Sequence, residues 1–338
     1  MFAQIKQLHR QRRNLRKMLK LADLVHADLL ASGLPPCNLV MVPSDTLLAA
    51  GDVLIKRQGD GFALHFSNQT SRGFLPPLFG KISAFIHWLR EALPEISEIL
   101  VDCTDGEGPS NARYAYSVNR AGTVALPDVY FTRSQGYAAF DARFRELNIP
   151  WAERHDRIVW RGTLTGMGHF NLDPAFINHP GVKQRLRMAQ LCRGTEIDFR
   201  FVAKQYLSTD TALQMAGLLA DPIPALDWGT AKFGVDIDGF TNAWSNFPQR
   251  LKLGCCVLKV DSQFGFTQWY YHQIRPWEHY VPIKADMSDL QQQIDWVRSN
   301  DAQAAEIAAN GQRFAAGLTM DSETRIAAQL INKAEGVA

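Results

Sequence analysis

The stretch AKFGVDIDGFTNAWSNFPQRLKLGCCVLKVDSQFGFTQWYYHQIRPWEHYVPIK, residues 231–284, decides how the rest of the chain reads. It opens with a short apolar run and turns at Asp238-Gly239. A polar loop follows, in which Thr241, Asn242, Ser245 and Asn246 are interrupted by Phe240 and Trp244. A helical piece then ends at Gly254, a second apolar run covers 255–260, and aromatic residues crowd around Trp269, Tyr270, Tyr271 and Trp277. Strand, loop, helix and strand in that order predict a βαβ unit. Sheets of that kind hold ligands outside the carboxyl ends of their strands. The loop 238–245 lies at such an end and is the first candidate for a site.

Composition sets the outer bounds. A chain of 338 residues has room for two domains, each with its own core. Apolar residues at 46% and charged residues at 21% are ordinary for a soluble globular protein. A net charge of +2 is too small for the electrostatic footprint of a nucleic-acid binder, so no nucleic-acid partner is expected. The five cysteines have no metal-ligand spacing and fit a reducing compartment. The basic N-terminus is not followed by the apolar core of a signal peptide, and no apolar run is long enough to span a bilayer. A cytoplasmic location is the expectation.

Residues 2–31 read as one helix, with apolar residues at roughly helical spacing. Lys6, Arg10, Arg12, Arg13, Arg16, Lys17 and Lys20 lie between them, with no acid before Asp23. Such a basic amphipathic helix is either a solvated face or a peripheral contact with an anionic membrane or acceptor. Short strands over 38–42, 52–57 and 61–66 come next, with a hairpin marked by Gly59-Asp60-Gly61. A helix over 79–93 and a strand over 96–101 lead into Asp102-Cys103-Thr104-Asp105-Gly106-Glu107-Gly108. Carboxylates in a glycine-rich loop after a strand are either turn formers or general bases exposed to solvent and substrate.

The pattern continues with a hairpin over 114–126 and a helix over 137–147 that stops before Pro150-Trp151, the expected linker. The division is therefore residues 1–150 and 151–317, with a last helix within 318–338 packing back on the first domain. In the second domain, a strand over 158–160 runs into Arg161-Gly162-Thr163-Leu164-Thr165-Gly166-Met167-Gly168. A loop rich in glycine and hydroxyls after a strand can cradle phosphate, although this one has neither Walker nor dinucleotide spacing. A helix over 182–191 carries Arg185 and Arg187, and a strand over 195–202 carries Asp198. A helix over 210–219 follows, and helices over 288–300, 302–314 and 321–332 close the chain.

Four segments together resemble glycosyltransferase family 90: WRGTLTG (160–166), VDIDGFTNAWSNFPQRLKLG (235–254), VLKVDS (257–262) and RPWEHYVPIKADMSDL (275–290). That family includes protein O-glucosyltransferases, capsule xylosyltransferases and enzymes that modify lipopolysaccharide. The resemblance covers the chain from about residue 102 onward. It implies an α/β fold of the GT-B type, two Rossmann-like domains facing across a cleft. It also implies an inverting transfer, independent of metal and cofactor, from a UDP-sugar to a hydroxyl of an acceptor. The resemblance places Arg161, Gly162 and Thr163 in the first nucleotide-sugar loop and Arg185 at the diphosphate. It sets Asp198 beside the nucleoside, and Asp238, Gly239, Phe240, Thr241 and Asn242 in the second loop. The catalytic base of the family matches Asp105 or, in another register, Asp102.

The chain departs from the family in having Asp238 where the animal enzymes carry a loop arginine. Another cation has to replace it, and Arg250, Lys252 and Arg161 are the candidates. The connection between 130 and 160 is also shorter than the one with which animal enzymes grip a folded acceptor. A glycan or glycolipid acceptor, such as lipopolysaccharide core or capsule, is therefore expected.

The residues themselves keep two other readings open. Asp236-Ile237-Asp238 fits the D-x-D motif with which other glycosyltransferases hold a divalent cation. A fold can also persist after its chemistry is lost, leaving a protein that binds nucleotides or carbohydrate without catalysis.

Overall fold

The computed structural model describes residues 2–45, 48–204 and 208–337, and the side chains of all of these except 2–15 and Ser208. Lys6, Arg10, Arg12 and Arg13 lie outside the described side chains. The chain divides into two compact units. Unit 1 comprises Met1–Gly136 together with Met320–Ala338, and unit 2 comprises Tyr137–Thr319.

Unit 1 begins with α1 (Phe2–Ala31), followed by β1 (Leu39–Ser44), β2 (Asp52–Gln58) and β3 (Gly61–Ser67). Next come α2 (Leu75–Phe79), α3 (Ser83–Glu91), β4 (Glu98–Asp102), β5 (Tyr114–Ala115), β6 (Val124–Ala125) and α4 (Val129–Arg133). The six strands lie in the order β1-β3-β2-β4-β5-β6. This sheet is mixed, because β2 runs antiparallel to both β3 and β4. The cause is local: only Gly59 and Asp60 separate β2 from β3, and a connection that short can join only antiparallel strands. Gly59 supplies the positive φ of +58° that the turn needs. The hairpin expected at Gly59-Asp60-Gly61 is thus present as β2–β3, and it makes the sheet of this unit mixed. The expected hairpin over 114–126 is corrected, since β5 and β6 pair in parallel. The helix expected over 79–93 is α3, which begins only at Ser83 because α2 ends just before it, where Gly80 donates its N–H to Pro76 O (2.9 Å).

Unit 2 contains α5 (Ala138–Leu147), β7 (His155–Gly162), α6 (Gln184–Leu191), β8 (Asp198–Phe201) and α7 (Ser208–Met215). It continues with β9 (Ala231–Asp236), α8 (Asn246–Lys252), β10 (Cys256–Val260), β11 (Val281–Ile283), α9 (Leu290–Ser299) and α10 (Asp301–Gly317). Its five strands are all parallel, in the order β11-β10-β9-β7-β8. Every residue of β9 and β10 is buried. A parallel strand covered on both faces favours apolar residues along its length, so these segments read as near-continuous runs, broken by Lys232, Asp236 and Lys259. Trp160 stacks on Phe199 at 4.1 Å and meets Phe201 edge-on at 5.6 Å, and the core continues through Phe233, Leu258 and Val260.

The boundary between the units falls at Gly136–Tyr137, not at Pro150-Trp151. α5 belongs to unit 2 because it packs on α8 and on the turn Ala225–Thr230. Asp141 accepts from the buried Lys252 at 2.7 Å, and Arg143 donates to Asp227 at 3.0 Å. The last helix, α11 (Met320–Ala334), returns to unit 1 and packs on α3. There Asn332 accepts from the Leu93 N–H at 2.9 Å and Glu335 from the Tyr114 hydroxyl at 2.6 Å. Among the described residues no helix is long and apolar enough to cross a membrane.

The unit 2 core sets one expectation for stability. Phe233→Ala removes a fully buried ring and should cost about 3–5 kcal/mol. Phe176→Ala, at a half-exposed surface ring, should stay within about 0.5 kcal/mol of wild type. Urea unfolding followed by tryptophan fluorescence compares the two.

Candidate functional site

From β7 the chain of unit 2 first adds β8 on one side and then crosses to place β9, β10 and β11 on the other. The gap between the carboxyl ends of β7 and β9 is therefore the switch point of the sheet, where α/β folds of this kind bind ligands. Two loops leave from that point. One follows Gly162 and runs to the start of α6, and the other follows Asp236 and runs to the start of α8.

The loops meet through backbone. Gly166 has φ +121°, and a Cβ there would stand 3.1 Å from Gly239 O. A Cβ on Gly239 would stand 2.9 Å from Thr165 Oγ1 and 3.2 Å from Arg185 Nη2. Side chains at either position would push the loops apart. The crevice between them, lined by Thr165, Gly166, Gln184, Asp238, Gly239 and Phe240, has a volume of ≈ 10 Å³. That is about the space of one water.

Arg185, in the first turn of α6, joins the two loops. Nη1 donates to Thr163 O (3.1 Å) and to Thr165 Oγ1 (2.7 Å), and Nη2 donates to Ile237 O (3.0 Å). The guanidinium lies 5.3 Å from the Trp160 ring centroid, and its Nε has no partner. Burial lowers its pKa to about 10, against the pull of Asp238 and Asp236, so it remains charged at neutral pH. Lys183 stands at the N-cap of the same helix. Its ammonium donates to Gly166 O and lies 6.0 Å from the Phe240 ring centroid. Burial alone pulls its pKa below the usual lysine value, and no carboxylate contacts it among the described residues. A cation at a helix N-terminus works against the helix dipole. Two cations at a helix start thus bond the loops that border one crevice, an arrangement that suits an anion.

The second loop is held from behind. The Asp238 carboxylate, buried, accepts from Asn242 Nδ2 (3.2 Å) and from Ser262. Burial pushes its pKa up while nearby Lys259 opposes the rise. Asn242 Nδ2 also donates to Phe266 O (3.0 Å), and the Gly239 N–H bonds Thr241 O (2.8 Å). Thr241 is buried, and Phe240 is 39% exposed. Asp236 takes the Lys259 ammonium at 2.9 Å and Asn246 Nδ2 at 3.0 Å. Both acids of the Asp-x-Asp sequence are therefore engaged by protein donors. Among the described residues no group of three or more metal-ligating side chains gathers.

Several expected residues lie elsewhere. Asp198 is the first residue of β8 and pairs with Val159, three positions before Phe201 meets Gly162. That places it about 10 Å down the strand from the carboxyl end. Its carboxylate binds Arg161 (2.8 Å), Arg157 (2.7 Å) and Arg200 (2.7 Å), which hold its pKa below the usual range. Arg161 is thereby tied to Asp198 and to the Asp221 carbonyl, while Gly162 and Thr163 do belong to the crevice's first loop. Arg250 lies flat on Trp228, 3.3 Å from the ring centroid, packed against Gly234 under α8. Lys252 is the partner of Asp141. None of the three stands at the Asp238 loop.

Asp102 and Asp105 are in unit 1, at and after the end of β4. Asp102 is buried and accepts from the Thr104 N–H (2.9 Å), Thr104 Oγ1 (2.6 Å) and Arg120 (3.4 Å). Asp105 pairs with Lys81 and keeps its side chain 38% exposed. Most of the aromatic cluster is core: Tyr270 stacks on Phe247 and meets Trp269 edge-on at 4.8 Å.

Two residues were missed from the sequence. Lys183 carried one signal, its position just before the first turn of an expected helix. Lys259 carried a stronger one, a charge inside an otherwise apolar strand, which is almost never buried without a partner.

A parallel α/β sheet with cations gathered at its switch point is a nucleotide-binding layout. The model of the family described as glycosyl transferase family 90 matches residues 143–333, more than half of the sequence. The chain belongs to that family. It is 30% identical over 187 residues to the uncharacterized protein 179R of Invertebrate iridescent virus 6, covering 50% of this chain and 16% of that protein. It is 30% identical over 135 residues to protein O-glucosyltransferase 2 of Danio rerio, covering 39% of this chain and 26% of that protein. Against protein O-glucosyltransferase 3 of Homo sapiens the identity is 37% over 92 residues, covering 27% of this chain and 18% of that protein. The chain thus spans about a quarter or less of these relatives. Among solved structures, sucrose-phosphate synthase from Thermosynechococcus elongatus overlaps 58% of this chain and 49% of its own at 13% identity, with a TM-score of 0.36. That likeness is too loose to bear on the fold.

The two cations should separate in a stability measurement. Arg185→Ala removes three hydrogen bonds from a buried charge and should lower stability by about 2 kcal/mol or more. Lys183→Ala leaves that bridge in place and should change it by less than about 1 kcal/mol. Thermal denaturation of the two variants beside wild type checks the contrast.

Proposed function

We propose that the chain is an inverting glycosyltransferase of the GT-B type that moves glucose, galactose or xylose from a UDP-sugar to a hydroxyl of a glycan or glycolipid. The observation that carries this reading is the gathering of Arg185, Lys183 and the α6 N-terminus at the switch point, inside the segment matched by family 90. The donor diphosphate lies against those groups and the Thr163 loop, with Phe240 offering its exposed ring to the donor. Lys183 takes the part of the animal enzymes' loop arginine, which Asp238 replaces in this chain. The names of the O-glucosyltransferase relatives put glucose first among the sugars. Lipopolysaccharide core or capsule is the acceptor we assign, and the basic helix α1 a peripheral contact with the cytoplasmic face of the membrane.

The catalytic base is assigned to unit 1. Asp105 is favoured over Asp102 because its carboxylate is open to solvent, whereas Asp102 is enclosed and holds its own turn together. The base takes the proton of the acceptor hydroxyl while that oxygen attacks the anomeric carbon. The bond from that carbon to the UDP oxygen breaks, and the electron pair leaves with UDP. Arg185 and Lys183 meet the charge that develops there. Because Asp236 and Asp238 already have protein partners, the reading needs no divalent cation.

Calorimetric titration with UDP-glucose, UDP-galactose, UDP-xylose and UDP, paired with assays of UDP release, tests the proposal. One sugar nucleotide should bind, and its turnover should survive EDTA. Asp105→Asn should keep donor binding and lose a factor of about 10² to 10⁴ in turnover. Full activity in that variant transfers the role to Asp102. Lys183→Ala should weaken donor binding about tenfold or more, the scale of a hydrogen bond to a charged group. Binding without release of UDP, with glycan acceptors present, would leave a non-catalytic binding protein.

A further inference from the structure

A cavity of ≈ 810 Å³ lies within unit 1, between α1 and the start of α2. Its apolar floor is made by Leu21, Ala27 and Leu75, with the half-exposed Leu24 and Pro76 beside them. Its rim carries four cations, Arg16, Lys17 and Lys20 from α1 and Arg72 from the turn before α2, against one acid, Asp23. On α1 the residues 17, 20, 21, 24 and 27 recur at helical spacing, so charge and apolar surface share one face.

The rim is electrostatically unsatisfied. Among the described residues none of the four cations has an ion pair or a side-chain hydrogen bond, and residues 2–15 contain no acid to supply one. Lys17 and Arg72 line the same cavity, and burial, with the Arg72 guanidinium second, lowers the lysine's pKa. Like charges from two different elements, held over an apolar floor, lack the anion that would relieve them.

We infer that this groove binds an anionic phospholipid at a membrane surface, the phosphate among Arg16, Lys17, Lys20 and Arg72 and part of an acyl chain on Leu21, Leu24 and Leu75. Charge complementarity selects the headgroup, and the contiguous floor selects an amphiphile over a free anion. The site deepens the membrane contact proposed for α1, placing it on two elements where a basic helix would use one. It does not rest on the transferase reading.

Sedimentation of the full chain with vesicles of phosphatidylcholine, with and without phosphatidylglycerol, is the test. Binding should require phosphatidylglycerol and fall as salt rises. Arg72→Glu should weaken it at least fivefold, the order expected for losing one basic group at an anionic surface. Leu24→Ser should weaken it severalfold while leaving every charge in place. Far-UV circular dichroism confirms folding, and UDP-sugar titration of the same variants keeps failure here separate from failure of the donor assignment. Equal binding to neutral vesicles overturns the inference. So does an unchanged Arg72→Glu variant, because α1 alone would then carry the attraction. Release from the vesicles by millimolar inorganic phosphate at matched ionic strength would make a free phosphate the occupant, and overturns it too.

Discussion

The crevice at the switch point of unit 2 depends on one buried guanidinium. Arg185 reaches the loop after β7 with one nitrogen and the end of β9 with another. Its environment contributes carbonyl dipoles, a hydroxyl and an aromatic face, with no carboxylate in direct contact. A charge so enclosed is tolerated only if its donors are met, so it dictates where the Thr163 and Ile237 carbonyls point. The planar fork is what allows one side chain to address two loops in different directions. A lysine would deliver the charge without the geometry.

Around that centre the chain separates two kinds of charge. Lys259 with Asp236, Lys252 with Asp141, and Arg161 with Asp198 are matched pairs that hold strands and helices together. Among the described residues, Lys183 and the rim of the α1–α2 groove are cations without matching acids. The matched pairs explain why arginines that look available in the sequence are not at the crevice. The unmatched ones mark where an anion would complete the structure.

Much of unit 2 was legible because its physics is local. Buried parallel strands tend to be near-continuous apolar runs, so 231–236 and 256–260 announced themselves despite their three charges, and the loop at 238 followed from strand direction. What was not legible depended on distant partners. Nothing in the sequence near Arg250 says that Trp228 lies under it, and nothing near Asp198 says that three arginines from two strands converge there. The boundary was misplaced because Pro150-Trp151 has the composition of a linker. The contacts that bind α5 to unit 2 come from residues about a hundred positions further on. In unit 1 the two-residue turn at Gly59-Asp60 and the hairpin it dictates were visible, but the second antiparallel pairing, of β2 with the distant β4, was not.

The contact between Gly166 and Gly239 carries a thermodynamic implication. Two backbones touch there because neither residue has a side chain, and the space left is about that of a single water molecule. Any ligand that inserts between the loops must first find them apart. Its apparent dissociation constant is then the intrinsic one divided by the fraction of molecules already open. Substitutions that alter only how often the loops separate would retune affinity without touching the ligand. The resting contact at these two glycines is thus a setting of binding strength in its own right.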